Sequence, residues 1–275
     1  MRMFAIRNEY GQRYELNNVK TGFLNEPSGL GFAMEYNYVK VGSIFKKNFL
    51  RDTQRIITGT IVYDTLTPYA AEADFLEYIR KSKELVMEYT TPAGTWLIDV
   101  DLIDYQKSEV ITGTLSIPVQ FISKSLWYKA DEYVISLLPV AESEKKYDYQ
   151  YDYTYNDYTE GEILVYNDGT VEAALAVDFY GPISNPVLVV YQNEIELKRL
   201  EVNGYAQSGE HILYSSRDDD LYIKKSDGTN LVSGLNLENT NFFKLPIGNS
   251  TIKVTSDSPL VQPIVFTIYR YYRQV

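Results

Sequence analysis

The chain has 275 residues, no Cys, one His and a formal net charge of −11. Cysteine nucleophiles, disulfide frameworks and thiolate metal sites are excluded, and with His211 as the only imidazole a two-histidine zinc site cannot be built. The 26 Tyr against 2 Trp, with abundant Val, Ile and Thr, point to a mainly β chain.

The first residues, Met1 to Asn8, lack the apolar run of a secretion signal. The longest aliphatic run, Val187 to Val190, is far short of a membrane span, so a soluble protein without membrane insertion is expected. Further along, Val39 to Arg55 reads as a basic loop in which Lys40, Lys46, Lys47, Arg51 and Arg55 are interleaved with Ile44, Phe45, Phe49 and Leu50. Exposed apolar and basic residues together read as an assembly arm, with Lys46, Lys47, Phe49 and Arg51 as candidate contacts.

Arg55 to Tyr63 and Leu85 to Thr90 read as strands. Thr67 to Glu84 reads as the one amphipathic helix, with Thr67 as cap, Pro68 at its first position and Ala71, Phe75, Tyr78, Ile79 and Ser82 on one stripe. Trp96 to Tyr105 alternates, with Ile98, Val100 and Leu102 on one face and Asp99 and Asp101 on the other. In the next strand Ile111, Leu115, Ile117, Val119 and Phe121 point to a core while Thr112, Thr114, Ser116 and Gln120 point away.

Charge then changes sharply. Residues 1–130 hold 15 cations and 15 acids, 131–275 hold 11 and 22, and 131–178 alone hold 12 acids against Lys145 and Lys146. This places a domain junction near residue 130, giving domains 1–130 and 131–275. Neither half has the basic surplus that sequence-specific nucleic-acid binding needs.

Within the acidic stretch, Tyr147, Tyr149, Tyr151, Tyr153 and Tyr155 recur at period two, so a strand there would present five phenols on one face. A row of Tyr suits either a partner-docking surface or a strand resting on its own sandwich. Next, Glu162 to Tyr166 and Val171 to Phe179 flank Asn167-Asp168-Gly169-Thr170, a hairpin signal. Strands follow at Pro186 to Tyr191, Glu194 to Val202, Glu210 to Ser216, Leu221 to Lys225, Ser250 to Thr255 and Pro263 to Tyr272. That spacing suggests a jelly-roll β-sandwich.

Catalytic patterns are poor. Asp99/Asp101 and Asp218/Asp220 have the spacing of a glycosidase pair, but neither sits among apolar residues that would raise one pKa. His211 reads as a structural strand residue, and no phosphate-cradling glycine loop is present. No catalytic, metal or cofactor site is expected.

The succession Ser28-Gly29-Leu30-Gly31-Phe32, Ile57 to Tyr63, Phe75 to Ile79, Leu85 to Tyr89, Ile111 to Tyr128, Gly161 to Thr170, Gly181 to Pro186 and Gly234 to Val254 resembles the distal tail proteins of long-tailed phages and prophages of Gram-positive bacteria. The resemblance implies an N-terminal β-sandwich with one helix and a projecting arm, followed by a C-terminal galectin-like sandwich. It also implies a non-enzymatic hexameric ring, single or stacked, that joins the tail tube protein to the tail-tip protein and docks receptor-binding components. Such a protein assembles in the host cytoplasm and ends in the virion tail tip, with DNA passing through its channel. The alternative from the residues is a carbohydrate-binding module acting in host adsorption.

Overall fold

The computed structural model describes residues 2–135, 159–239 and 241–275. They form two compact units, Met1–Lys129 with Tyr271–Val275, and Ala130–Arg270. Both are mainly β.

The first unit contains β1 (Met3–Asn8), β2 (Arg13–Glu15), β3 (Asn17–Asn18), β4 (Gly22–Ser28), β5 (Met34–Val41), β6 (Ile44–Asp52), β7 (Ile56–Asp64), α1 (Pro68–Lys81), β8 (Leu85–Thr91), β9 (Gly94–Tyr105) and β10 (Thr114–Ser123). One layer runs β2-β1-β8-β9 and the other β10-β7-β4-β3. They are joined at both edges. On one side β9 pairs with β8 through Gly94 to Val100 and with β10 through Val100 to Tyr105. On the other, residues 13–18 pair first with β1 and then with β4, bridged by Leu16, which donates to Phe4 O and accepts from Leu24 N. Apart from the β5–β6 pair, this closure leaves little free strand edge.

Alternation puts Ile57, Ile61, Tyr63, Leu115, Ile117, Val119 and Phe121 against Phe4, Ile6, Met87, Ile98 and Val100 in one buried core. Ile111 departs from the sequence expectation. Thr112 and Gly113 take positive φ, the chain turns between Ile111 and Thr114, and Ile111 is exposed rather than on the core face. Pro118 lies in β10 opposite Thr60 of β7, before the pairing with β9 begins at Val119, so its missing N–H disrupts no ladder on that side.

Helix α1 starts at Pro68 and ends with Arg80 and Lys81 in its last turn, where cations meet the negative end of the helix dipole. Thr67 occupies the cap position, but its side chain makes no capping hydrogen bond. Its carbonyl instead accepts from Ala70 and Ala71. Phe75 is fully buried beneath the helix and stacks on Tyr105.

Strand β11 (Trp127–Ile135) carries the chain into the second unit. There follow β12 (Glu160–Asn167), β13 (Ala174–Tyr180), β14 (Ile183–Ser184), β15 (Val187–Gln192), β16 (Ile195–Glu201), β17 (Tyr205–Ala206), β18 (His211–Arg217), β19 (Asp220–Lys225), a 3-10 turn (Val232–Gly234), β20 (Gly248–Thr255) and β21 (Ile264–Tyr272). Strands β19-β18-β13-β21 form one antiparallel layer and β12-β20-β15-β16 the other. Leu175, Val177, Phe179, Ile212, Tyr214, Phe266 and Ile268 from the first meet Val165, Leu188, Val190, Leu200, Ile252 and Val254 from the second.

The expected hairpin at Asn167 to Thr170 is not formed. Strand β12 pairs with β20, whereas β13 pairs with β18 and β21, so this turn crosses between the layers. The reason is the buried Asn167 side chain: its amide donates to the carbonyls of Val171, Leu245 and Pro246, and its oxygen accepts from Gly169 N. These bonds tie the turn to the loop before β20 rather than to a returning partner strand.

Candidate functional site

The basic segment expected as a loop is a hairpin. Strands β5 and β6 pair only with each other among the described residues, across Gly42-Ser43, with Gly42 at φ +63°. Apart from Met34 at its root, every β5 side chain is exposed. Lys46, Lys47, Phe49 and Arg51 all lie on β6, as the sequence suggested for an arm.

Their local roles differ. Arg51 Nε donates to Glu35 Oε2 at 2.6 Å and its guanidinium lies 5.7 Å from the Phe49 ring centroid, so this cation is neutralised within the hairpin. Lys47 Nζ sits 4.9 Å from the Tyr36 ring, which stacks on Tyr38. Among the described residues no acid pairs with Lys40, Lys46 or Lys47. These three amines are exposed, as are the Tyr36, Tyr38, Phe45 and Phe49 rings.

The root of the arm is built from motifs that carried the family resemblance. Gly29 has φ +80°, and a Cβ there would lie 2.0 Å from the Ile56 carbonyl oxygen, so only glycine lets the chain leave β4 beside the start of β7. One residue on, the Leu30 carbonyl accepts from Nε1 of fully buried Trp127 at 3.1 Å. On the returning strand Asp52 accepts from Arg273 Nε at 3.0 Å. Arg55, only 4% exposed, donates from Nη2 to the Arg273 carbonyl at 3.3 Å. Among the described residues its Nε and Nη1 have no partner. Burial pushes the Arg55 guanidinium below its ordinary pKa, and the Asp52 carboxylate works in the opposite direction.

Sequence reasoning named Arg55 only as one of the exposed arm cations, whereas it is buried at the root, and did not bring the root residues together. The Gly29 motif and the WY pair at 127–128 were visible, but nothing local links them to Arg273. Tyr36 and Tyr38 were also missed, lying just before the basic stretch.

The remaining candidates have local structural uses. Tyr128 donates to Asp99 at 3.1 Å, Lys124 pairs with Asp101, and Lys244 pairs with Asp218. His211 Nδ1 lies 2.9 Å from Asp178 and its ring rests on Tyr180, with no Ser or Thr hydroxyl on the ring among the described residues. The row Tyr147, Tyr149, Tyr151, Tyr153 and Tyr155 lies outside the described residues. No helix among the described residues is long and apolar enough to cross a membrane.

Comparison with known proteins gives these features a context. Residues 3–124 match the family described as distal tail protein, N-terminal domain. That span holds the arm and most of its root. No curated protein matches the sequence. Among solved structures, a chain of the phage p2 baseplate in its activated conformation with Ca is similar at TM-score 0.69 and 18% identity, covering 100% of both chains. The corresponding baseplate with Sr gives 0.68 and 18%, again over 100% of both. The SPP1 Dit protein, described as a paradigm of the hub adsorption apparatus in phages infecting Gram-positive bacteria, gives 0.63 and 12%, covering 97% of this chain and 98% of that one. At such identities the structures establish a shared fold. Residues 3–124 thus match the N-terminal domain of the distal tail protein family, in a chain whose whole length shares its fold with phage baseplate chains.

Proposed function

We propose that this chain is a non-enzymatic hub in which six copies close a ring that continues the tail tube and joins it to the tail-tip protein. Other baseplate or receptor-binding components dock on it, and the finished ring resides at the virion tail tip after assembly in the host cytoplasm. The observation that carries the reading is the arm. A two-stranded hairpin with no third strand is marginal in water, and this one exposes aromatic, aliphatic and cationic side chains on a glycine-defined root. Such an element gains most of its stability from a partner.

A cyclic ring supplies that partner without further components. In a heterologous interface each copy gives its arm to one neighbour and receives another, and closure satisfies every arm. The arm residues hold four cations, Lys40, Lys46, Lys47 and Arg51, against Glu35 and Asp52; removing these from the chain's 26 Lys and Arg and 37 Asp and Glu leaves 22 against 35. Most of that excess lies in residues 131–275, with 11 cations against 22 acids, while 1–130 outside the arm hold 11 against 13, so a net-cationic arm meets a slightly acidic ring domain.

Negative-stain microscopy and light scattering on the full chain over a concentration and salt series test this. Sixfold rings are expected, and reversing Lys46, Lys47 and Arg51 to Glu should weaken them and change their salt dependence. Strictly monomeric behaviour at every concentration, with and without tail proteins, refutes the hub.

A further inference from the structure

Polar bonds tie the β5–β6 hairpin to the rest of its unit at a single residue. Among the described residues, the hydrogen bonds and ion pairs of residues 34–52 stay within the hairpin, apart from those of Asp52. Both Asp52 carboxylate oxygens accept from Arg273 Nε, at 3.0 and 3.2 Å. Below that point run two linkers, residues 29–33 from β4 to β5 and residues 53–55 from β6 to β7. The first is held through the Leu30 carbonyl by Trp127. The second is held by Ser123, whose N–H donates to the Arg55 carbonyl at 2.9 Å while its Oγ accepts from Arg55 N at 2.9 Å. Two linkers make a hinge, and the Asp52–Arg273 pair fixes its angle.

Arg273 is itself fixed in place. Its carbonyl accepts from Nη2 of buried Arg55, Tyr272 and Val275 pack against the core of the first unit, and Lys129 Nζ lies 5.7 Å from the Tyr272 ring. Residues 271–275 thus bring a guanidinium to the arm root as part of a docked segment, and in sequence they follow residues 130–270, the whole of the second unit.

We infer that residues 271–275 are a latch that sets the direction of the arm, so that a chain becomes competent to enter a ring only when this segment has docked on the first unit. The inference rests on the ring reading and adds to it a condition on when the arm can act. An eight-residue strand pair is about 26 Å long, so a swing of about 20° at the hinge moves its tip by about 9 Å, roughly twice the spacing of neighbouring strands. An unlatched arm therefore misses the fit that a specific contact needs.

Timing follows from chain order. Arg273 lies 273 − 52 = 221 residues after Asp52. At about 5 to 20 residues/s that length takes about 11 to 44 s to synthesise, whereas a hairpin forms in about 1 to 10 μs. The arm is made long before it is aimed, so first units emerging side by side do not join while their chains are unfinished.

The test compares four full-length chains by sedimentation velocity and negative-stain microscopy: wild type, Asp52→Arg, Arg273→Asp and the double exchange. Either single change sets like charges against each other at the root and should raise the concentration for half-assembly about tenfold or more. The double exchange restores an opposite pair of the same combined length and should return that concentration to within about twofold of wild type. Urea midpoints read by Trp fluorescence separate lost direction from lost folding; should a reversed pair unfold the first unit, Arg273→Ala is the milder variant, with a smaller rise expected. If wild type forms rings and the folded single variants assemble as it does, or the double exchange stays as weak as the singles, the latch is wrong and the ring stands. A wild-type chain that stays monomeric throughout overturns the ring and the latch together.

Discussion

The last five residues should determine the stability of the first unit, although they lie far from it in sequence. Tyr272 and Val275 pack against its core, Tyr271 lies edge-on to Tyr128 with ring centroids 6.0 Å apart, and Arg273 meets the arm root through both side chain and carbonyl. The perturbation is truncation after Arg270, compared with Arg273→Ala. The alanine variant removes an ion pair whose side chains are 37% and 30% exposed, which costs about 0.2 to 1 kcal/mol. It keeps the carbonyl that serves Arg55. Truncation removes that acceptor from a guanidinium already short of partners, costing about 1 to 3 kcal/mol. It also strips partly buried apolar surface worth roughly 2 to 3 kcal/mol.

The sum is about 3 to 6 kcal/mol against less than about 1 for Arg273→Ala, a difference well outside experimental error. The assay is urea unfolding followed by Trp fluorescence, because both Trp residues, Trp96 and Trp127, lie in the first unit and so report on it alone. With an m-value of about 2 kcal/mol/M, truncation should lower the midpoint by about 1.5 to 3 M and the alanine variant by less than about 0.5 M. If the truncated chain unfolds within about 0.3 M of the full chain, the C-terminal segment does not brace the arm root. The same reasoning makes the full chain, rather than residues 1–129, the right material for assembly measurements.

Alkaline pH should destabilise the first unit before acid chemistry becomes relevant to it. Burial pushes Tyr14 and Tyr78 up to about 12 and raises Tyr63 and Tyr105 as well; unfolded phenols ionise near 10, so their contribution is complete below about pH 10 and is lost as pH rises through the folded-state values. A Trp-monitored urea midpoint that stays constant between pH 9 and 11.5 would contradict this. From the sequence pattern alone, replacing Tyr149, Tyr151 and Tyr153 with Ser should lower affinity for a tail partner while leaving rings intact; loss of folding in the second unit, read by near-UV circular dichroism, would instead assign the row to that unit's own core.

Much of the fold was legible because period-two alternation is a local consequence of burying one face of a strand. It located β7, β9, β10 and β13 to within a few residues and named Leu115, Ile117, Val119 and Phe121 as core. What failed was pairing. Asn167-Asp168-Gly169 has a hairpin's composition, and composition reports that the chain turns, not which layer the next strand joins. That choice was made by carbonyls at Leu245 and Pro246, about eighty residues away. The return of Tyr271–Val275 to the first unit is equally nonlocal, since Arg273 is an ordinary surface residue until Asp52 and Arg55 are placed beside it.

The arm was legible as an arm and illegible as a hairpin for a single physical reason. Its turn, Gly42-Ser43 between Val41 and Ile44, is an ordinary two-residue hairpin signal. What kept the segment looking like a loop was the absence of alternation, since apolar residues occur on both faces of both strands. In a core, such a strand is buried by its own chain. Here β5 and β6 pair only with each other among the described residues, and apolar side chains of both faces are exposed. A strand with apolar residues on both faces gives no period-two signal, so alternation could not mark this segment as strand.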